Sequence, residues 1–548
     1  MSAGASQGIE RATRWALAIG YLVVAVMWAV AVPLLEKPDE VHHAAYVRFV
    51  ERESRLPVQA GETDAFVEPE AQQPPAYYVA AAQLLRMMHA TGLPAWDPED
   101  WVPRINPAFA GDPASLTTNT FWLHGVADGL PEPQPSLDLL VLRLVNVLLG
   151  LATVVLTYRI GLLVFAQRHW PALAAAALVA FLPQLTFVTS SVSNDPLSWA
   201  VSAAYLLLLL RLIDAPRDGL YARMALLGVV LGVALVTKST LFFLVPLVFA
   251  ARPRAATRSD WLGGLAVWLA AAVAIGAWWF ARNAALYGDP LGRQELINPD
   301  LYRWNLLPKS ARGAYLRGPF WSRTFESFVG YFGFMHIPLP MSAYVGAAAV
   351  GAAAAVGLAV HGARVVAGQR SEARDGETHD REARDGETHG RQASDRQVRD
   401  RHLRQLVILA VMPMLALAQL VNYNTMVGQP QGRYLFVAAP SIAVLLVLGL
   451  EEVTARLSHR LGAGGQGDVP LGAGSPAAGL AVSERTDAGL TAAGGAVSAQ
   501  PAGGGADTRS RALASLLIAA LLALNLFALL GVVVPSYGPF AWSVLLGG

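Results

Sequence analysis

The chain has 548 residues, of which 54% are hydrophobic and 15% charged, with no cysteine and a net charge of +1; its mean hydropathy is +0.40. One soluble core cannot hide that much apolar surface, so the sequence specifies an integral membrane protein. The lack of cysteine excludes a disulfide framework and a thiolate metal site, and the balanced charge argues against a nucleic-acid partner.

Apolar runs of about 20 residues mark membrane helices. They fall near Trp15–Leu35, Leu139–Leu163, Pro171–Ser190, Leu197–Ile213, Met224–Val236, Leu241–Ala251, Trp261–Phe280, Met341–Val360, Leu406–Leu420, Tyr434–Leu450 and Ala512–Val534, about eleven spans. The stretch from Met224 to Ala251, broken by Thr237-Lys238-Ser239, reads as either one bent hairpin or two tilted spans. The first run follows Arg11 and Arg14 like a signal peptide, but it is long and no small-residue cleavage site closes it, so it reads as a retained helix.

Arginine placement sets the expected orientation. With the N-terminus inside, the loops at 167–169, 211–223, 251–258, 361–404 and 451–511 are all inner and all rich in arginine, whereas the opposite loops carry acids and aromatics. The expected division is an inner N-terminus (1–14), a transmembrane core (15–360) with an outer loop at 36–136, and a disordered charged inner loop (361–404). A transmembrane hairpin (405–450), a disordered Gly/Ala-rich inner loop (451–511) and a last span with an outer tail (512–548) follow. The repeat Glu-Ala-Arg-Asp-Gly-Glu-Thr-His at 372–379 and 382–389 lies in a charge-balanced linker and carries no expected function.

The outer loops hold the unusual residues. Behind the first span comes Glu36-Lys37-Pro38-Asp39-Glu40-Val41-His42-His43, in which Asp39 and His43 share one helix face. Such a pair can serve as a general base, a metal site or a substrate anchor, or simply start a surface helix whose dipole favours acids. Two amphipathic stretches follow, Asp39–Arg52 and one opening Gln72-Gln73-Pro74-Pro75-Ala76-Tyr77-Tyr78; both are expected at the membrane surface, with an irregular cap between His89 and Ser136. Asn194-Asp195-Pro196 brings a second carboxylate to the same level, or is an ordinary helix cap. Lys238 and Arg282-Asn283 put cations at outer helix ends, where Lys238 either snorkels or binds phosphate. The aromatic run 325–336 lines a lipid groove or forms an interfacial helix. Gln431-Gly432-Arg433-Tyr434 opens an apolar helix, where an unpaired guanidinium costs about 2.5–3.5 kcal/mol or more and demands an acidic partner, either a phosphate or pyrophosphate that suits its fork or a loop carboxylate in a plain ion pair.

Together Pro38-Asp39-Glu40 with His43, Gln73-Pro74-Pro75 with Tyr77-Tyr78, Asn194-Asp195, Arg282-Asn283 with Tyr287-Gly288-Asp289-Pro290, Ser327-Phe328 with Phe332-Gly333-Phe334-Met335, and Gln431-Gly432-Arg433-Tyr434 resemble the DUF2142 family of bacterial membrane proteins. That family is similar to the GT-C superfamily of polyprenyl-phosphate-dependent glycosyltransferases, which includes protein mannosyltransferases and aminoarabinose transferases. The resemblance runs from about Trp15 to Leu450; Val329, Tyr331 and Phe334 depart from it. It implies an all-α, GT-C-like bundle with amphipathic juxtamembrane helices in the first outer loop, multi-pass in the plasma membrane, with the site facing outside. It implies Asp39 as catalytic base, with Glu40 and Asp195 as further catalytic acids. His43, Tyr77, Tyr78, Asn194, Lys238, Arg282, Asn283, Gln431, Arg433 and Tyr434 would bind substrate. The implied donor is a polyprenyl-phosphate sugar, transferred with inversion to a lipid, polysaccharide or protein acceptor. A divalent metal ion on Asp39, Glu40 and His43 is one option, not a requirement. Membrane lipid is a partner; neither the sugar nor the oligomeric state follows from these residues.

Two other classes compete. A secondary transporter or flippase would show paired broken helices and mid-membrane polar residues, and the spans look nearly free of mid-helix charge. A non-catalytic envelope assembly protein would not need Asp39 and Arg433 to meet.

Overall fold

The computed structural model describes residues 3–59, 65–93, 105–109, 120–122, 136–293, 307–379, 386–463 and 504–537. Apart from two paired two-residue strands, β1 (Tyr331–Phe332) and β2 (Ile337–Pro338), the described regular elements are helical, so the chain is an all-α polytopic membrane protein. Nine described helices are long and apolar enough to cross a membrane, or ten when a bent pair counts as one span.

The membrane helices in order are α1 (Ala3–Ala31), α4 (Ser136–Val164), the pair α5 (His169–Phe181) and α6 (Pro183–Thr189), α7 (Asp195–Leu212), α8 (Leu220–Thr237) and α9 (Arg258–Tyr287). After α10 (Lys309–Arg317) and α11 (Pro319–Val329) come α12 (Met341–His379), α13 (Gly386–Asn424), α14 (Ala439–Ala463) and α15 (Gly504–Leu526). Between α1 and α4 lie α2 (Glu40–Glu53) and α3 (Ala76–His89), matching the two amphipathic stretches expected in the first loop.

Local chemistry explains the breaks. Pro183 forces Leu182 into extended backbone and the chain bends by 62° between α5 and α6. Helix α9 opens with a capping box between Thr257 and Asp260 and closes on Gly288 at a φ of 69°.

The expected count of about eleven spans exceeds the ten because the run 241–251 is not an α-helix of crossing length. It is a 3-10 segment, Ser239–Ala251, of 13 residues containing Pro246. At roughly 2 Å of rise per residue, a 3-10 helix of that length extends about 26 Å, against about 20 Å as an α-helix. Extended in this way, it carries the chain from Lys238 to Arg252, whose carbonyl accepts a bond from Arg404 (2.9 Å). The charged linker read at 361–404 differs too: helix continues from the flanking spans to His379 and from Gly386, as its Ala, Arg, Glu and Gln content favours. Most of the second inner loop, and most of the cap between His89 and Ser136, lie outside the described residues.

The described parts of the arginine-rich loops gather at one end of the bundle. Ion pairs there join Arg168 to Glu451 (2.5 Å), Arg401 to Asp214 (2.8 Å), Arg254 to Asp400 (3.3 Å) and Arg364 to Glu452 (2.6 Å). The start of α7, the end of α8 and the start of the 3-10 segment Gly432–Ala438 lie at the other end, beside α2 and α3. There a second apolar cluster, including Leu35, Val41, Tyr46, Tyr77, Tyr78 and Leu139, binds the two short helices to the bundle.

Candidate functional site

The turn after α1 sends neighbouring side chains in opposite directions. Glu36 accepts the backbone N–H groups of Phe121 and Trp122 (2.9 Å each). Lys37 is fully buried, donating to Trp28 O (3.2 Å), Ser190 Oγ (2.8 Å) and Ser190 O. Burial, reinforced by Arg143, holds its ammonium well below the usual lysine range. Asp39 follows Pro38 with a φ of 59°, a left-handed conformation that Asp tolerates better than most residues. This turn aims Asp39 at the end of the bundle, while Glu40 goes into its wall.

Asp39 meets Arg433, 394 positions away, in a direct ion pair. Burial raises the Asp39 carboxyl, but the guanidinium overrides it and holds the group down at about 2. Arg433 is itself 5% exposed against 39% for Asp39, so the carboxylate is the open member of the pair. The Nε of Arg433 is buried with no hydrogen-bond partner among the described residues. Beside this pair Lys238 binds Asp195 and reaches Asn194 Oδ1 (3.4 Å). Both cations lie over the Tyr434 ring, Arg433 at 5.4 Å and Lys238 at 5.9 Å.

Supporting contacts fix these groups. The Gly432 N–H donates to Ser327 Oγ (2.8 Å), and a Cβ at Gly432 would stand 2.3 Å from Phe328 N, so only glycine lets the strand of chain bearing Arg433 press against α11. His43 shares a hydrogen bond with Tyr78 OH (2.8 Å) and approaches Ser193 Oγ at 3.5 Å. Burial pushes its imidazole down to about 3, so it is neutral at physiological pH. Tyr77 OH accepts from Asn146 Nδ2 (3.1 Å), which also holds the carbonyls of Ser191 (2.5 Å) and Ser193 (2.9 Å). Asn194 Nδ2 donates to Gln73 Oε1 (3.3 Å), tying the start of α7 to the chain entering α3.

The structure thus brings Asp39, His43, Tyr78, Asn194, Asp195, Lys238, Arg433 and Tyr434 together, with Tyr77 behind them. Glu40 is elsewhere. Its two oxygens take Arg143 Nε (2.8 Å) and Nη2 (2.6 Å), plus the amides of Val192 (2.9 Å) and Leu35 (3.0 Å). Arg282 donates to Pro57 O (2.7 Å) and stacks on Trp279 at 4.9 Å, while Asn283 Nδ2 reaches Pro290 O (3.4 Å); they clamp neighbouring loops and no described contact joins them to the acids. Gln431 contributes backbone bonds, to Gln429 O (2.9 Å) and from Tyr434 N (3.3 Å). Among the described residues no three His, Asp or Glu side chains gather as a metal would require; of Asp39, Glu40 and His43, Glu40 faces Arg143 instead.

Three residues escaped the sequence reading. Arg143 sits buried in the span Leu137–Val164, against the expectation of spans nearly free of charge; a charge within an apolar run was the available signal. Asn146, one turn later, offered the same kind of signal. Glu70 stands in Glu68-Pro69-Glu70, just ahead of Gln72-Gln73-Pro74-Pro75, and its carboxyl is within Coulombic reach of Asp39, Lys238, Arg433 and Asp195. Within the aromatic run 325–336, Phe332 packs inward on Trp28 (5.1 Å) and Phe187 (5.3 Å), and Phe328 on Phe436 (5.0 Å), while Phe325 stays exposed.

Comparison with curated proteins finds no match to this sequence. Among solved structures, ArnT from Cupriavidus metallidurans bound to undecaprenyl phosphate is similar at a TM-score of 0.43 and 13% identity, over 98% of this chain and 76% of that one. The model of the DUF2142 family, described as a predicted membrane protein, matches residues 135–442. The chain belongs to the DUF2142 family of predicted membrane proteins.

Proposed function

We propose that this protein is a GT-C-type glycosyltransferase that moves a sugar from a polyprenyl-phosphate donor to a hydroxyl of an envelope acceptor, on the outer face of the plasma membrane. One observation carries the reading: two carboxylates and two cations from four distant segments, Asp39, Asp195, Lys238 and Arg433, meet at one end of an apolar bundle. A charge-balanced cluster of this kind suits an anionic headgroup on an apolar tail. The assembly-protein alternative gave no reason for Asp39 and Arg433 to touch. A transporter would favour paired broken helices, whereas the described residues contain a single bent pair. The arginine-rich opposite end supports an inside N-terminus and an outward site.

In this reading the donor phosphate takes Arg433, whose unused buried Nε is the vacant part of its fork, with Lys238 as a second positive charge. Losing its guanidinium partner raises the proton affinity of Asp39. Asp39 then removes the acceptor hydroxyl proton as that oxygen bonds to the anomeric carbon. The anomeric C–O bond breaks, its electron pair leaving on the phosphate, which Arg433 and Lys238 stabilise. Attack opposite the leaving group inverts the anomeric centre. Glu40, saturated by Arg143 and two amides, acts as structure.

The test is turnover by the purified protein in lipid nanodiscs against a panel of polyprenyl-phosphate sugars, following release of polyprenyl phosphate. Donor-specific release supports the reading; failure to bind any polyprenyl phosphate overturns it.

A further inference from the structure

Three carboxyl groups act on one another at this end of the bundle, Asp39, Asp195 and Glu70, and only two are neutralised. Arg433 holds Asp39 and Lys238 holds Asp195. Glu70 has no ion pair among the described residues, and its Oε2 is buried without a hydrogen-bond partner. Its backbone leaves it little freedom: its N–H donates to Val67 O (3.1 Å) and its carbonyl accepts from Gln73 N (2.9 Å), closing a 3-10 turn that begins at Glu68-Pro69. A buried carboxyl oxygen left without a partner is unfavourable, and a ligand placed there would relieve it.

The turn carrying Glu70 is tied to the site: its carbonyl accepts from Gln73 N (2.9 Å), and Gln73 Oε1 accepts from Asn194 Nδ2 (3.3 Å) beside Asp195. The charges that act on its carboxyl are those of Asp39 ahead of α2, Asp195 at the start of α7, Lys238 after α8 and Arg433 in the 3-10 segment, and it acts in turn on Tyr46 and Tyr78. Burial and the negative charge of Asp39 raise its carboxyl to about 8, outweighing Lys238 and Arg433, so it keeps its proton at neutral pH. A protonated carboxyl donates and accepts at once, as a hydroxyl does, whereas it offers a phosphate no positive charge. Both cations are reserved for the anion.

We propose that Glu70 is the sugar-hydroxyl-binding residue of this site, recognising an uncharged glycan beside the cluster that holds the phosphate. This rests on the glycosyl-transfer reading above. The hydroxyl belongs to the donor sugar or to the acceptor, and the measurement separates the two. Binding of sugar-free polyprenyl phosphate and of polyprenyl-phosphate sugars is measured in nanodiscs for the wild type, Glu70→Ala and Glu70→Gln, together with acceptor KM. Glu70→Ala should leave the sugar-free lipid unaffected. It should weaken sugar-bearing donor binding about tenfold if the hydroxyl is the donor's, or raise acceptor KM about tenfold if it is the acceptor's, as loss of one such hydrogen bond predicts. Glu70→Gln, still donor and acceptor, should restore most of that loss. It should also remove a carboxylic C=O infrared band that titrates near pH 8 in the wild type. Unchanged values in Glu70→Ala, an equal loss for sugar-free and sugar-bearing lipid, or no titrating band would each overturn the assignment. A wild type that binds no polyprenyl phosphate would instead overturn the reading beneath it.

Discussion

Replacing Glu40 should damage the fold and spare the chemistry, which separates it from Asp39 one residue away. Glu40 and Arg143 are 0% and 1% exposed, and four donors reach the two carboxylate oxygens. In Glu40→Gln one oxygen becomes an NH2 group, and in either orientation that group faces two donors. Removing one partner of a buried ion pair costs about 3–5 kcal/mol, and this substitution belongs in that range. Arg143→Met should cost at least as much, because Arg143 also caps the end of the first span through the carbonyls of Ala29 (2.7 Å), Val32 (2.8 Å) and Pro33 (3.0 Å). The double variant Glu40→Gln with Arg143→Met should lose less than the sum by roughly 0.5–3 kcal/mol. The assay is denaturant unfolding in mixed micelles, with turnover measured on the folded fraction. Burial raises the Glu40 carboxyl but Arg143 pulls it lower still, so its folded value is depressed. The pair's contribution is therefore full above the ordinary carboxyl value and disappears only as acid drives pH down through the depressed one. A Glu40→Gln protein with wild-type stability and no turnover would refute this division of labour.

Gly432→Ala should destabilise by about 1–3 kcal/mol, since the new Cβ meets the backbone of Phe328 and Thr324, and should weaken polyprenyl-phosphate binding by displacing Arg433; unfolding and lipid binding check both parts. Arg433→Lys keeps the charge beside Asp39 but loses the fork, so donor KM should rise about tenfold or more with the fold intact by thermal melting. In the ligand-free protein Asp39 at about 2 stays ionised and His43 at about 3 stays neutral. The profile of kcat/KM should therefore have no acid limb from either group between about pH 5 and 7; a limb in that window that Asp39→Asn removes would contradict the assignment.

Much of the architecture was legible because apolar length and arginine bias are properties of the chain itself. The spans, the two short helices behind the first of them, and the grouping of Asp39, Asp195, Lys238 and Arg433 at one end all follow from these patterns. Patterns failed where geometry decides. Asp39 and Glu40 are adjacent acids in sequence, yet Asp39, held left-handed just ahead of α2, meets Arg433 while Glu40 meets Arg143. Arg282 sits at the expected level, yet its reach ends on the carbonyl of Pro57. Glu70 carried no motif of its own; the charges that act on its carboxyl come from other segments. The 3-10 segment after Lys238 was ambiguous because its apolar length falls between a half-span and a full one.

In the proposed reaction Asp39 is the base of a sugar transfer whose donor phosphate is held by Arg433. Asp39→Asn tests it most directly, because asparagine tolerates the same left-handed backbone and the variant should fold. Transfer from a polyprenyl-phosphate sugar should fall by about 10²–10⁴, the share of a general base. Binding of polyprenyl phosphate should hold or strengthen, because Arg433 has lost its internal anion. Transfer at the wild-type rate by a folded Asp39→Asn protein would contradict the account.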